Sequence, residues 1–166
     1  MGDGHPSPSI RVGRPDEFAD LRTIEFEADR LFDSMGIGPF ANDEGESHLE
    51  QAELVLVVDD PPVGFVCVDL VDGNPHIWQL AVHPDHGRQG IGRALVEATC
   101  EWARSEHFGA ITLTTFRDVP WNGPFYESLG FVTMESLTPE LSAIREHERS
   151  IGDDAYGTRV AMERPL

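Results

Sequence analysis

The segment 82–95 reads Val-His-Pro-Asp-His-Gly-Arg-Gln-Gly-Ile-Gly-Arg-Ala-Leu. An apolar strand pattern ends at Val82, a glycine-rich turn follows, and a helical pattern starts at Ile91. The first amides of a helix have no intrahelical acceptor, and with the helix dipole they attract anions. Glycines let a phosphate come close to the backbone where a side chain would block it. Gly87, Arg88, Gln89, Gly90, Ile91, Gly92 and Arg93 are therefore candidates for a main-chain phosphate cradle. A dinucleotide fingerprint would need glycine or alanine where Leu95 stands, and the Lys-Ser/Thr of a Walker loop is absent. Taken alone, the loop reads equally as a helix start that binds nothing.

Periodicity gives the elements that must position this loop. Residues 1–8 are rich in Gly, Pro and Ser and read as a flexible tail, with a single domain over 9–166. A short strand at 9–14 leads into a helix opened by Pro15, Asp16 and Glu17. Phe18, Leu21, Ile24, Ala28, Leu31 and Phe32 keep helical spacing until Gly36, Gly38 and Pro39 break it. Residues 41–53 read as an acidic loop and a short polar helix. Strands at 54–58, 63–71 and 76–82, with turns at 59–62 and 72–75, make an antiparallel meander. Alternation puts His76, Trp78, Leu80 and Val82 on one face. An amphipathic helix at 91–108 stops at Gly109, and a β-branched strand follows at 110–115. Strand, helix and strand over 76–115 form a crossover, so those strands are expected to be parallel. A short helix at 120–129, a strand from 131, a charged helix at 139–150 and a strand at 158–162 complete the chain. The fold class is α+β: a twisted mixed sheet of six to seven strands, antiparallel in its N-terminal part. A parallel pair flanks the glycine loop, and helices cover both faces.

Further segments stand in order around the loop. Gln79-Leu-Ala-Val-His-Pro precedes it, and Thr114-Thr-Phe-Arg-Asp-Val-Pro-Trp-Asn-Gly-Pro-Phe-Tyr126 and Pro124-Phe-Tyr-Glu-Ser-Leu-Gly-Phe131 follow. With them the sequence resembles the GNAT superfamily of N-acetyltransferases over residues 9–163, most closely over 76–132. The resemblance implies a single-domain, bacterial-type enzyme moving an acetyl group from acetyl-CoA to a primary amine of a small molecule or peptide. It implies the cofactor pyrophosphate on the loop at 87–93, and main-chain contacts to the pantetheine arm from Leu80, Ala81 and Val82. The family usually has Arg or Gln where Gly87 stands, so Arg88 falls one place later than expected.

Acyl transfer to an amine needs a base for the ammonium proton, a donor for the oxyanion and a proton for the leaving thiolate. No Cys/His or Ser/His pattern argues for a covalent route, and nothing calls for a metal. Tyr126 matches the family tyrosine that faces the CoA sulfur, and is the candidate general acid; its alternative role is packing the short helix. His76 is the candidate base, because some family members carry a carboxylate base six residues before the position of Val82. His83, His86, Glu25 and Glu27 are its rivals. Asn122 reads either as the cap of the short helix or as a contact to the cofactor. A non-catalytic acyl-CoA sensor and a transferase of longer acyl groups remain as alternatives.

The 166 residues include 12 cationic and 30 acidic ones, a formal net charge of −18. Such a surface argues against nucleic acid and anionic membrane as partners. Asp43, Glu44, Glu46, Glu50 and Glu53 either steer a cationic acceptor or form a solvated face. Cys67 and Cys100 are expected to be buried thiols, and a reducing cytoplasm is the expected compartment. Dimers are common among similar proteins, but no segment identifies an interface.

Overall fold

The computed structural model describes residues 7–38 and 48–166. Asp43, Glu44 and Glu46 and most of the tail at 1–8 lie outside the described residues. Seven strands form one sheet: β1 (Ile10–Val12), β2 (Leu54–Val58), β3 (Gly64–Val71), β4 (Asn74–Val82), β5 (Ala110–Phe116), β6 (Val132–Thr133) and β7 (Arg159–Pro165). Their order is β1-β2-β3-β4-β5-β7-β6. Pairing is antiparallel throughout except between β4 and β5, as the crossover requires.

Alternation in the apolar strands divides the core between the two faces. Leu56, Val58, Val66, Val68, Ile111 and Leu113 face α3 (Ile91–Ser105), meeting Leu95, Val96, Cys100 and Ala103. Val55, Val57, Phe65 and Cys67 face the other way and pack under Phe18, Leu21 and Ile24 of α1 (Phe18–Asp29). The short α4 (Gly123–Ser128) adds Tyr126 to the α3 side. The short α2 (His48–Gln51) joins the α1 side through Leu49. On that face Leu141 of α5 (Pro139–Ser150) covers Val71 and Ala161. Cys67 and Cys100 are buried free thiols, and burial pushes Cys67 up to about 12.

Four expectations need correction. The helix expected from residue 15 to Phe32 is α1 flanked by 3-10 turns at Pro15–Glu17 and Arg30–Met35. The second turn sets Phe32 against Phe116 and Trp121, at centroid distances of 6.0 and 5.3 Å. The turn expected at 72–75 is only Asp72 and Gly73, both at positive φ (50° and 78°), the pattern of a tight hairpin. Helix ends also move: α3 stops at Ser105, where Phe108 N–H turns back to Ala103 O, and α4 is shorter than 120–129. Finally, His76, Trp78, Leu80 and Val82 do not share a face. Cys67 pairs with Gln79 while Val68 pairs with Ile77, so Trp78 is an extra residue in β4. This bulge inverts the alternation. Leu80 and Val82 join the α3 side, whereas Trp78 packs with the α5 side against His76.

Candidate active site

The parallel ladder between β4 and β5 consists of His76 with Thr112 and Ile77 with Leu113. Beyond it the strands part. From Trp78 to Val82, β4 keeps β3 on one edge and, among the described residues, has no strand on the other. Leu80, Ala81 and Val82 therefore offer backbone groups along an open edge, as a pantetheine arm would need.

The glycine loop lies at the end of that open strand. A 3-10 turn at Pro84–His86 is followed by Arg88 and Gly90 in the left-handed region, at φ 59° and 79°. The first backbone bond of α3 is Ala94 N–H to Gly90 O at 3.0 Å. The amides of Ile91, Gly92 and Arg93 are thus left without helical acceptors, next to exposed Gly87, Gln89 and Gly90 in the chain. Every basic residue of the chain is an arginine, and most of them engage a carboxylate. Among the described residues, Arg88, Arg93 and Arg104 have no ion pair, and the first two stand beside these amides in a protein of net charge −18. A Cβ on Gly92 would meet Phe125 Cζ at 3.4 Å, an ordinary contact, so α3 lies against α4 here.

Tyr126 is buried in α4, with edge contacts to Phe125 and Phe131 at 5.2 and 5.6 Å. Its hydroxyl makes no hydrogen bond to any described residue. Burial raises its proton affinity well above that of a free phenol, so it stays protonated at neutral pH. Asn122 does not cap α4 with its side chain. Its Oδ1 accepts instead from Thr115 Oγ1 at 2.8 Å, which ties the end of β5 to the start of α4 and leaves Nδ2 without a partner among the described residues. Gly123 beside it is required by sterics, because a Cβ there would lie 2.3 Å from Arg117 O.

On the opposite face, a cavity of about 390 Å³ adjoins the point where the strands part. Trp78 and Thr114, the residues just past the last paired positions, line it with His48, His76, Glu148 and Arg159. Glu148 is held by Arg145, Arg159 and Thr114 at 3.0, 2.7 and 3.0 Å. Trp78 stacks on His48 at 4.3 Å, and its buried Nε1 has no partner among the described residues. His76 is almost fully buried and shares a 2.8 Å hydrogen bond between Nδ1 and Thr112 Oγ1. Burial, aided by nearby His48, lowers it to about 4, so it is neutral at pH 7 and a weak proton acceptor. His83 and His86 lie in the turn beside the cradle, away from this cavity.

Sequence reasoning missed the carboxylate of Asp29, in the last turn of α1, which burial and the charge of Glu25 raise to about 7. The available signal was the spacing of Glu25 and Asp29, one turn apart on a helix whose neighbouring positions are apolar.

A sheet parted at its parallel pair, with unpaired amides heading the helix after the first parted strand, sets a candidate anion site beside an open strand edge. The chain belongs to the acetyltransferase (GNAT) family, whose profile matches residues 16–131. It is 35% identical over 79 residues to mycothiol acetyltransferase of Corynebacterium glutamicum, covering 46% of this chain and 25% of that one. It is 29% identical over 92 residues to [ribosomal protein bS18]-alanine N-acetyltransferase of Escherichia coli, covering 55% of this chain and 60% of the relative. The chain thus spans less than two thirds of either relative. The crystal structure of the PaiA N-acetyltransferase of Thermoplasma acidophilum in complex with coenzyme A shares the fold, with a TM-score of 0.69 at 14% identity over 97% of this chain and 100% of that one.

Proposed function

We propose that this chain is an acetyl-CoA-dependent N-acetyltransferase in which a primary amine attacks the thioester directly. The observation that carries the reading is the parting of β4 and β5 after Ile77 and Leu113. It opens a passage between unpaired amides at the head of α3 on one side and a cavity on the other. A fold neighbour solved with coenzyme A supports the ligand class. The amides of 87–93, flanked by Arg88 and Arg93, hold the pyrophosphate. The open edge at Leu80, Ala81 and Val82 aligns the pantetheine, and Asn122 Nδ2 donates to it.

The acceptor enters from the cavity side. Its neutral amine attacks the carbonyl carbon, a C–N bond forms, and the C–S bond breaks. Tyr126 gives its phenolic proton to the sulfur, and the extra proton on nitrogen returns to the phenolate. A phenol that is fully protonated at neutral pH suits this role. Relatives named for acceptors as different as mycothiol and a ribosomal protein support an amine acceptor without choosing one.

Isothermal titration with acetyl-CoA, CoA and NADH tests the reading. Binding of the first two and not the third is expected, followed by thiol release with methylamine, spermidine, glucosamine or an alanine-initiated peptide. Failure of both thioester and thiol to bind would leave the loop a helix start and remove the enzymatic reading.

A further inference from the structure

We propose that Arg159 is the subsite for a carboxylate carried by the acceptor, so that the amine acetylated here belongs to a free amino acid. This names the acceptor class of the transfer proposed above and rests on that reading. Arg159 opens β7 in register with Phe116 of β5, and its side chain lines the cavity. The guanidinium is fixed there on several sides. Its Nε donates to Glu148 Oε2 at 2.7 Å, and its Nη2 donates to Thr114 Oγ1 at 3.3 Å. Its Cζ lies 4.6 Å from the centre of the Phe116 ring. Thr114 directly follows Leu113, the last residue of β5 paired with β4. The guanidinium is therefore tied to the point where the strands part.

The lining has more donors to offer than acceptors. Nη1 of Arg159 has no hydrogen bond among the described residues, and it is not sealed from solvent as the partnerless Arg11 Nε and Trp78 Nε1 are. Glu148 is nearly used up: Oε2 accepts from Arg159 and Thr114, and Oε1 from Arg145. Arg145 is held in turn by Asp154. A guanidinium edge held still in this way suits a ligand carboxylate, which it meets with charge-assisted bonds. Trp78 Nε1, on the same wall, is a further donor for a ligand oxygen. The charges favour a zwitterion over a plain anion. The lining sets Glu148 and Asp153 beside Arg159, so a ligand bringing negative charge alone would be repelled. An amino acid brings both signs, its carboxylate to Nη1 and its ammonium to the acidic side until the proton is lost. The cavity, at about 390 Å³, lies near the small end of ligand sites, about 300–1,000 Å³, which suits so compact an acceptor.

The test follows thiol release from acetyl-CoA by the full chain. The standard amino acids are screened first, and the best is then compared with its amide and with the amine that lacks the carboxylate, each rate expressed per neutral amine. The amino acid is expected to lead both by about 10-fold or more in kcat/KM. Arg159→Lys keeps the charge but has too few donors, in the wrong geometry, to hold Glu148 and a ligand together. It should lower the amino acid-to-amide ratio about 10-fold while acetyl-CoA binds as before. An Arg159 that only supports the fold would lower all the acceptors alike and leave that ratio unchanged, which would overturn the proposal. So would an amide or plain amine that matches or beats the amino acid in the native chain, a comparison that decides the matter by itself should the variant not fold. Acetyl-CoA binding with no transfer to any amino acid would also overturn it, while leaving the cofactor reading in place. No acetyl-CoA binding by the native chain would refute the function it rests on, and the proposal with it.

Discussion

Ile77 and Leu113 are the last residues joined across the parallel strands, and the next pair in line, Trp78 and Thr114, lines a cavity instead. That change from partner to wall marks where the parallel pairing gives way to the cavity. Ile77 is held in place by Val68, opposite the bulge that turns Trp78 toward His76 and His48.

Tyr126→Phe keeps the ring that packs against Phe125 and Phe131 and removes only the hydroxyl. We expect kcat to fall by about 100-fold, in the range for a lost acid, with acetyl-CoA affinity unchanged. Steady-state kinetics beside calorimetry decides it. Equal losses in both would assign the hydroxyl to binding.

Arg88→Ala and Arg93→Ala should each weaken CoA about 3- to 10-fold, since each removes one charge from an exposed, salt-screened site. The loss should shrink as salt rises. Titrations at two ionic strengths check this, and a salt-independent loss would point to packing instead.

The glycines at 90 and 123 should fail differently. Around Gly90 there is open space, so Gly90→Ala carries only the cost of a left-handed φ, about 1–2 kcal/mol. Gly123→Ala drives a methyl into the Arg117 carbonyl and must displace the backbone, which we expect to cost about 2–4 kcal/mol and to shift Tyr126. Thermal unfolding of both variants gives the comparison, and an undisturbed Gly123→Ala would contradict the geometry.

Asp29 binds its proton more tightly in the fold than in the unfolded chain, at about 7 against 3.8. The stability this gives is complete below about pH 3.8 and is lost as pH rises through about 7. Asp29→Asn should therefore unfold at higher temperature than the native chain at pH 8. Partial exposure reduces the gain to about 1–2 kcal/mol. Melting curves at pH 5 and pH 8 should show the gap widening with pH.

The unpaired amides at the head of α3 were legible in the sequence because the geometry that leaves them so is local. A strand end, glycines and a helix start within a dozen residues suffice to leave amides unbonded, and the glycine at φ 79° sits where the turn needs it. Asn122 was half legible: the need for a polar group there was apparent, but its bond to Thr115 depends on how β5 and α4 meet. His76 was identified by its distance along the strand from Val82. That distance says nothing of burial, and burial is what weakens it as a base.

The sequence by itself determined the α+β class, the strand order around the crossover and the glycine loop, because periodicity and chain connectivity act over short spans. Tertiary structure alone decided where β4 and β5 part and which face Trp78 takes. Those outcomes depend on pairing and packing between segments distant in the chain. The proton affinities of Asp29, His76 and Tyr126 follow from the same packing, since a side chain's solvent exposure is set by neighbours that the local sequence does not name.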